Sequence, residues 1–339
     1  MYPSFKSVKL IRYLLVWKVN TSLASIPRCL ASEISPVLGM IISKRLSSRE
    51  AKPWVKALAP WDAFLTQLAA KNKPRTDSPP DISWPIEASV FVYPGKVTYG
   101  RDELILWELK LFGDSADHGF FLETVLPAME EASYTSDERW NRTNKLWGRF
   151  DIQAVYVARG ARWEPLVSEG SLDLRYQASP TQWAEGLTFT VPPASNSREM
   201  TWITPFDFEG IPGADPADGL SKAAKKSRES EAPTLENILH ALIFRLGSLL
   251  PGKHKAAHNP WDCLSPEERV LFETAVEEAK GTSILFEDMK FPPRSWPGGR
   301  TGSQTFTPIP PSVLSLLELA SILHVGKKTH FGCGTFMLT

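Results

Sequence analysis

Residues 323–339 read Leu-His-Val-Gly-Lys-Lys-Thr-His-Phe-Gly-Cys-Gly-Thr-Phe-Met-Leu-Thr. Gly326, Gly332 and Gly334 share nine positions with Lys327, Lys328 and His330, between an apolar run of helical spacing and a β-prone tail. Glycine admits positive φ and close backbone approach, and adjacent lysines bring charge to a phosphate. Such a loop has the means to grip a polyanion, and it equally serves as a plain turn between a helix and a final strand.

The rest of the chain bounds what surrounds that loop. A length of 339 residues suggests two domains, and 42% apolar residues with 12 Trp and 17 Phe describe a globular protein. Cys29, Cys263 and Cys333 stand far apart, so no zinc knuckle or disulfide framework is indicated and the compartment reads as reducing. The apolar run Val8 to Val19 is interrupted by Lys9, Arg12 and Lys18 and is too short for a membrane span. It reads as a buried strand of a cytoplasmic protein without a membrane partner.

Net charge is zero, but its distribution is uneven. Residues 1–56 hold ten Lys and Arg against Glu33 and Glu50, a local +8, and residues 290–339 carry +4, leaving −12 for the remainder. If the two ends meet, they form one basic face on an acidic body, as phosphate binding requires. The alternative is a solvated surface of uneven charge.

Periodicity gives strands and helices in meandering order. Val8–Val19 reads as a strand, and Ser25–Leu46 as a helix with Pro36 as a break or first-turn residue. A Pro-rich connector, Lys73–Pro85, leads to strands at Glu87–Tyr93 and Glu103–Phe112 and a helix through Phe121, Val125, Leu126 and Met129. Further strands are expected at Gly148–Ala158, Ser171–Tyr176, Leu187–Val191 and Met200–Phe208. Residues 210–233 are rich in Gly, Pro, Ala, Ser and Lys and read as a mobile basic loop. An amphipathic helix capped at Thr234 runs to Leu250, and Ser265-Pro266-Glu267-Glu268 opens another. Strands at Ile284–Phe291 and Thr305–Ile309, the helix Ser312–Leu323 and the glycine loop complete the chain. This order suggests an α+β fold with antiparallel sheets.

The closing Val325–Gly334 segment resembles the glycine-rich loop of the RAMP superfamily, specifically of CRISPR endoribonucleases that process precursor crRNA. Supporting segments stand in the family's order: Glu103–Gly113 ending in Leu-Phe-Gly, Leu126-Pro127-Ala128-Met129, Thr201–Phe208 with its Thr-Pro pair, and the helix Asn237–Leu246 with Arg245 near its end. The resemblance implies two ferredoxin-like, RRM-like units, expected at 1–140 and 141–339. It implies a CRISPR repeat RNA hairpin as partner, with other subunits of a CRISPR effector complex. It further implies metal-independent cleavage 3′ of the hairpin, in which a 2′-hydroxyl attacks its neighbouring phosphodiester and leaves a 2′,3′-cyclic phosphate, with no cofactor. A non-catalytic subunit holding the same hairpin is the alternative.

Many members place a histidine near the first helix, whereas the first histidine of this chain is His118. The ionisable groups around the opening helix are Arg28, Lys44 and Arg45, with Tyr13 on the strand before. Arginine is a poor base but clamps phosphate bidentately. An arginine-assisted variant, similar to type IV processing enzymes, is therefore expected, with Arg28, Lys44, Arg45 and Arg245 as catalytic candidates. Gly326, Lys327, Lys328, His330, Gly332, Gly334, Arg294 and Arg300 are the RNA-binding candidates. Arg28 and Arg45 also fit a helix surface, and Arg245 also fits a helix-end cap.

Overall fold

The structure, a computed structural model, describes residues 8–71, 81–135, 145–187, 197–215, 232–250, 259–293 and 296–339. The chain separates into two compact units. The first comprises Lys9–Glu185 with Arg294–Trp296, and the second comprises Met1–Val8, Gly186–Pro293 and Pro297–Thr339. The division after Glu185 leaves the expected boundary at 140 inside the first unit, because the strand following it completes the first sheet.

In the first unit, β1 (Leu10–Val19) lies at the middle of an antiparallel sheet. Its neighbours are β5 (Leu104–Phe112) and β6 (Phe150–Arg159), with β3 (Ala88–Val92) beyond β5, and β7 (Arg162–Ser168) and β8 (Ser171–Leu172) beyond β6. A short ribbon, β2 (Leu23–Ser25) with β4 (Thr98–Gly100), stands apart. The four principal strands taken in chain order, β1, β3, β5 and β6, lie in the order β3-β5-β1-β6, with helices between the first and second and between the third and fourth. That is the ferredoxin-like arrangement.

Alternation along β1 fixes the core. Tyr13, Leu15 and Trp17 are fully buried, Tyr13 stacks on Phe121 at 3.7 Å, and Trp17 stacks on Phe150 at 4.1 Å. Each such buried aromatic contributes on the order of 1.5–3 kcal/mol through apolar area removed from water. The opposite side of the strand carries Arg12, whose guanidinium grips buried Glu108 of β5 at 3.1 Å, with Lys110 at 3.7 Å and the Tyr93 hydroxyl donating to the same carboxylate. These cations hold the Glu108 carboxyl below its ordinary range against the opposing effect of burial.

Helix α1 (Ala31–Arg45) packs beneath the sheet and encloses Pro36, which sits inside the helix rather than breaking it. Helix α2 (Ser48–Lys71) follows at once, in a stretch where sequence pattern suggests no element. Ser47 caps it through reciprocal bonds with Glu50. Its Pro53 and Pro60 remove the N–H partners of the Arg49 and Lys56 carbonyls. Both prolines lie on the exposed side, so the freed carbonyls need no protein partner, while Trp54, Leu58, Trp61 and Leu65 bury the other side. A short helical turn at His118–Phe120 and a π-turn at Phe121–Val125 lead into α3 (Leu126–Tyr134).

The second unit repeats the pattern. Its strands β9 (Arg198–Trp202), β10 (Ile284–Lys290), β11 (Thr301–Phe306) and β12 (Phe336–Leu338) lie in the order β10-β11-β9-β12, all antiparallel. Helices α4 (Leu235–Leu249) and α5 (Pro266–Lys280) connect β9 to β10, and α6 (Pro311–Leu323) connects β11 to β12. Capping boxes at Thr234 with Asn237 and at Ser265 with Glu268 fix the starts of α4 and α5 where the sequence places them. The α+β class, the antiparallel sheets and the two ferredoxin-like units are thus as expected. Expected strand residues 188–191 and residues 216–231 of the basic loop lie outside the described residues. No described helix is long and apolar enough to cross a membrane.

Candidate nucleic-acid interface

The glycine loop is built against one segment of its own unit, Thr204–Phe208. Val325 donates to the Gly334 carbonyl at 3.0 Å and closes the loop on itself. Gly334 donates to the Pro205 carbonyl at 2.9 Å, and Lys327 donates to the Asp207 carbonyl at 2.8 Å. The Thr204 hydroxyl donates to the Gly332 carbonyl at 2.7 Å and accepts from the Thr335 amide at 3.2 Å. The same Thr204–Phe208 segment is held on another side by Pro297–Arg300, where Gly299 and Arg300 both donate to the Phe206 carbonyl at 2.9 and 3.0 Å.

Two glycines are required by this closure. A Cβ on Gly334, at φ 81°, would stand 1.8 Å from the Val325 carbonyl oxygen. One on Gly326, at φ 99°, would stand 2.7 Å from the Asp207 oxygen. The close approach is between backbone and backbone of this unit, so these glycines shape the loop. Its crest is Lys327 and Lys328, both exposed, with Lys328 in the left-handed region at φ 58°. Lys327 stands 3.9 Å from Glu209, a solvent-screened pair. The crest is a cationic projection on a rigid base, suited to a phosphate.

The remaining candidates divide. His330 is buried and meets Phe331 edge to face at 5.2 Å. Arg300 is half-buried, with its guanidinium 3.7 Å above the ring of exposed Phe291. Arg245 is buried, and its Nε donates to the Leu323 carbonyl at 3.2 Å, so it caps the end of α6 rather than its own helix. Arg294 lies outside the described residues.

Arg28 is exposed just before α1, whereas Lys44 and Arg45 are exposed in its last turn. A helix of that length separates its ends by roughly 22 Å. Arg28 and Arg45 therefore do not converge on one phosphate, and Arg45 is already paired with Glu131 at 2.9 Å.

None of the described histidines is fully exposed. His118 has its Nδ1 3.0 Å from the Tyr13 hydroxyl and its Nε2 3.2 Å from the Tyr176 carbonyl. A neutral ring satisfies both, accepting at Nδ1 and donating at Nε2. Burial holds the His118 imidazole below its ordinary value and pushes the Tyr13 hydroxyl well above its own. His254 and His258 lie outside the described residues.

Two features are not evident from the sequence alone. Thr204 staples the loop, and its only sequence signal is the Thr-Pro pair within Thr201–Phe208. The Arg12–Glu108–Lys110 cluster is foreshadowed by two charges inside the apolar run Leu104–Phe112.

The family model described as CRISPR-associated endoribonuclease Cas6 matches residues 200–336. No curated protein matches the chain. Among solved structures, the chain is similar to a partial Cas6-RT-Cas1–Cas2 complex, at 13% identity and TM-score 0.47 over 98% of this chain and 46% of that one. The chain thus spans under half the length of that protein. It is similar also to a Cas6 product complex, at 15% identity and TM-score 0.45 over 97% of this chain and 100% of the other. The corresponding values for Thermus thermophilus Cas6 are 14% identity and TM-score 0.42 over 98% and 99%. The match at 200–336 runs from the first strand of the second unit into its last and takes in the glycine loop, so this part of the chain is similar to the Cas6 family of CRISPR-associated endoribonucleases.

Proposed function

We propose that the protein is a CRISPR RNA-processing endoribonuclease. It cuts repeat RNA 3′ of a hairpin without a metal ion and stays on the hairpin within an effector complex of other CRISPR proteins. The observation that carries this reading is the family match spanning the strands of the second unit. The exposed Lys327–Lys328 crest and the basic ends of the chain support it.

In such a reaction the 2′-hydroxyl oxygen bonds to the adjacent phosphorus while the bond to the 5′-oxygen breaks. The 2′ proton is lost and the departing 5′-oxygen gains one. A cation must offset charge on the phosphorane. Arg28, Lys44 and Arg45 are the groups of the first unit we assign to that role, with Arg28 acting apart from Lys44 and Arg45 because α1 keeps its two ends apart. Positioning for in-line attack supplies the rest.

A second reading, a hairpin-binding subunit without cleavage, is favoured by two observations: every described histidine is buried or half-buried, and Arg45 is tied to Glu131. Repeat RNA incubated with the protein in EDTA separates the two. Cleavage products establish the first, a gel shift without products the second, and no interaction at all rejects both. A 2′-deoxy nucleotide at the scissile position is expected to abolish cleavage while leaving the shift intact.

A further inference from the structure

Helix α2 carries a one-sided run of cations. Arg49, Lys52 and Lys56 are exposed and fall within an arc of roughly 60° at 3.6 residues per turn. They lie opposite the buried Trp54, Leu58, Trp61 and Leu65. Among the described residues no ion pair reaches any of the three. The nearest acid along the helix, Glu50, is committed to the Ser47 cap.

This placement is unfavourable for the isolated helix on two counts. Arg49 stands in the first turn, where the helix dipole favours anions. Lys52 and Lys56 are four apart, so like charges face each other. The exposed cations of α5 in the same chain are instead offset by acids of their own helix: Arg269 pairs with Glu273 at 2.9 Å and Lys280 with Glu277 at 2.7 Å. A polyanion laid along α2 relieves both conflicts at once. We infer that Arg49, Lys52 and Lys56 form a phosphate-backbone binding stripe for RNA, separate from the glycine loop. The inference rests on the functional reading above, and it assigns the RNA a contact on the first unit that follows a helix axis over roughly 10 Å.

The test uses Lys52→Glu in the full chain, with a repeat hairpin RNA titrated at several salt concentrations and thermal melting of the free protein. A binding stripe predicts opposite signs in the two measurements. RNA affinity falls, and the slope of log affinity against log salt shrinks by about 0.7–0.9 for each phosphate the protein no longer neutralises. The melting midpoint rises by about 1–2 °C, because the like-charge pair of positions 52 and 56 becomes one of opposite charge. Unchanged affinity and slope in this variant, with the unsubstituted protein binding RNA, overturn the inference alone. Failure of the unsubstituted protein to bind any repeat RNA overturns the functional reading and the stripe with it. A lowered melting midpoint overturns the claim that the stripe is unfavourable in the free protein.

Discussion

The hydroxyl of Thr204 donates to the carbonyl of Gly332 across 128 positions of sequence, at 2.7 Å, and its oxygen in turn accepts from the amide of Thr335. One buried oxygen thereby joins the segment leaving β9 to both sides of the loop's last turn. Thr204→Val keeps the shape and deletes the bonds, leaving a buried carbonyl and amide unpaired. The expected loss is about 1–3 kcal/mol in a denaturant titration, together with weaker repeat-RNA binding because Lys327 and Lys328 lose their rigid base.

Gly334→Ala is expected to be far worse than its size suggests. The added methyl would overlap the Val325 oxygen at a positive φ, and the loop would have to open to admit it. A loss of ~4 kcal/mol or more, or failure to fold, is expected. Gly170→Ala is the control, since it has positive φ but nothing within 4 Å, so its cost should be about 1 kcal/mol.

Lys327→Ala with Lys328→Ala removes charge from the crest and touches no core. Stability should stay within about ±0.5 kcal/mol of the unsubstituted protein. RNA affinity should fall equally for different repeat sequences, because lysine contacts to phosphate carry no base information. A loss confined to one repeat would mean base reading instead.

Arg245→Ala should behave as a structural lesion. Its Nε caps the last carbonyl of α6 from a buried position, and losing that charged bond should cost about 1.5–3 kcal/mol. In single-turnover cleavage below the melting range, the rate should change little. Arg28→Ala and Arg45→Ala should show the reverse, with a rate loss of ~100-fold for any arginine that stabilises the phosphorane and unaltered melting. Because α1 separates these two arginines, their effects should add rather than share a single contribution.

Acid should weaken the protein before its carboxylates titrate. Burial holds both His118 and His240 below the ordinary imidazole value. The unfolded chain takes up protons near pH ~6.5, whereas the folded one resists, so stability is complete above that pH and declines as pH falls through it. Melting curves between about pH 8 and pH 5 should show this decline, and His118→Gln should flatten it.

Most of both sheets can be read from the sequence, because β1, β5, β6 and α4 carry apolar residues at the period of their own element. Helix α2 cannot, since Pro53 and Pro60 look like breaks. Only their placement on the exposed side, where the freed carbonyls need no protein partner, lets the helix pass through them. Strand β7 is hidden by Pro165 and by charges at Arg162 and Glu164 on a half-exposed strand. The division of the chain falls later than expected because β6 and β7 join a sheet begun over a hundred residues earlier, and no local pattern records pairing at that distance. The loop's residues are legible, but their partners are not. Glycine spacing signals close approach, and only the fold tells whether another backbone or a ligand does the approaching.

The position of β1 at the centre of its sheet also governs how the chain is made. β1 is complete at Val19, but its flanking strands begin at Leu104 and Phe150. At translation rates of about 5–20 residues per second, this apolar strand waits on the order of ten seconds for its second neighbour. In the second unit β9 waits similarly, from Trp202 until Phe336. The nascent chain thus carries open strand edges through most of its synthesis, one sheet after the other with the same strand order. Yield in the cell should then depend on whatever shields those edges at the ribosome.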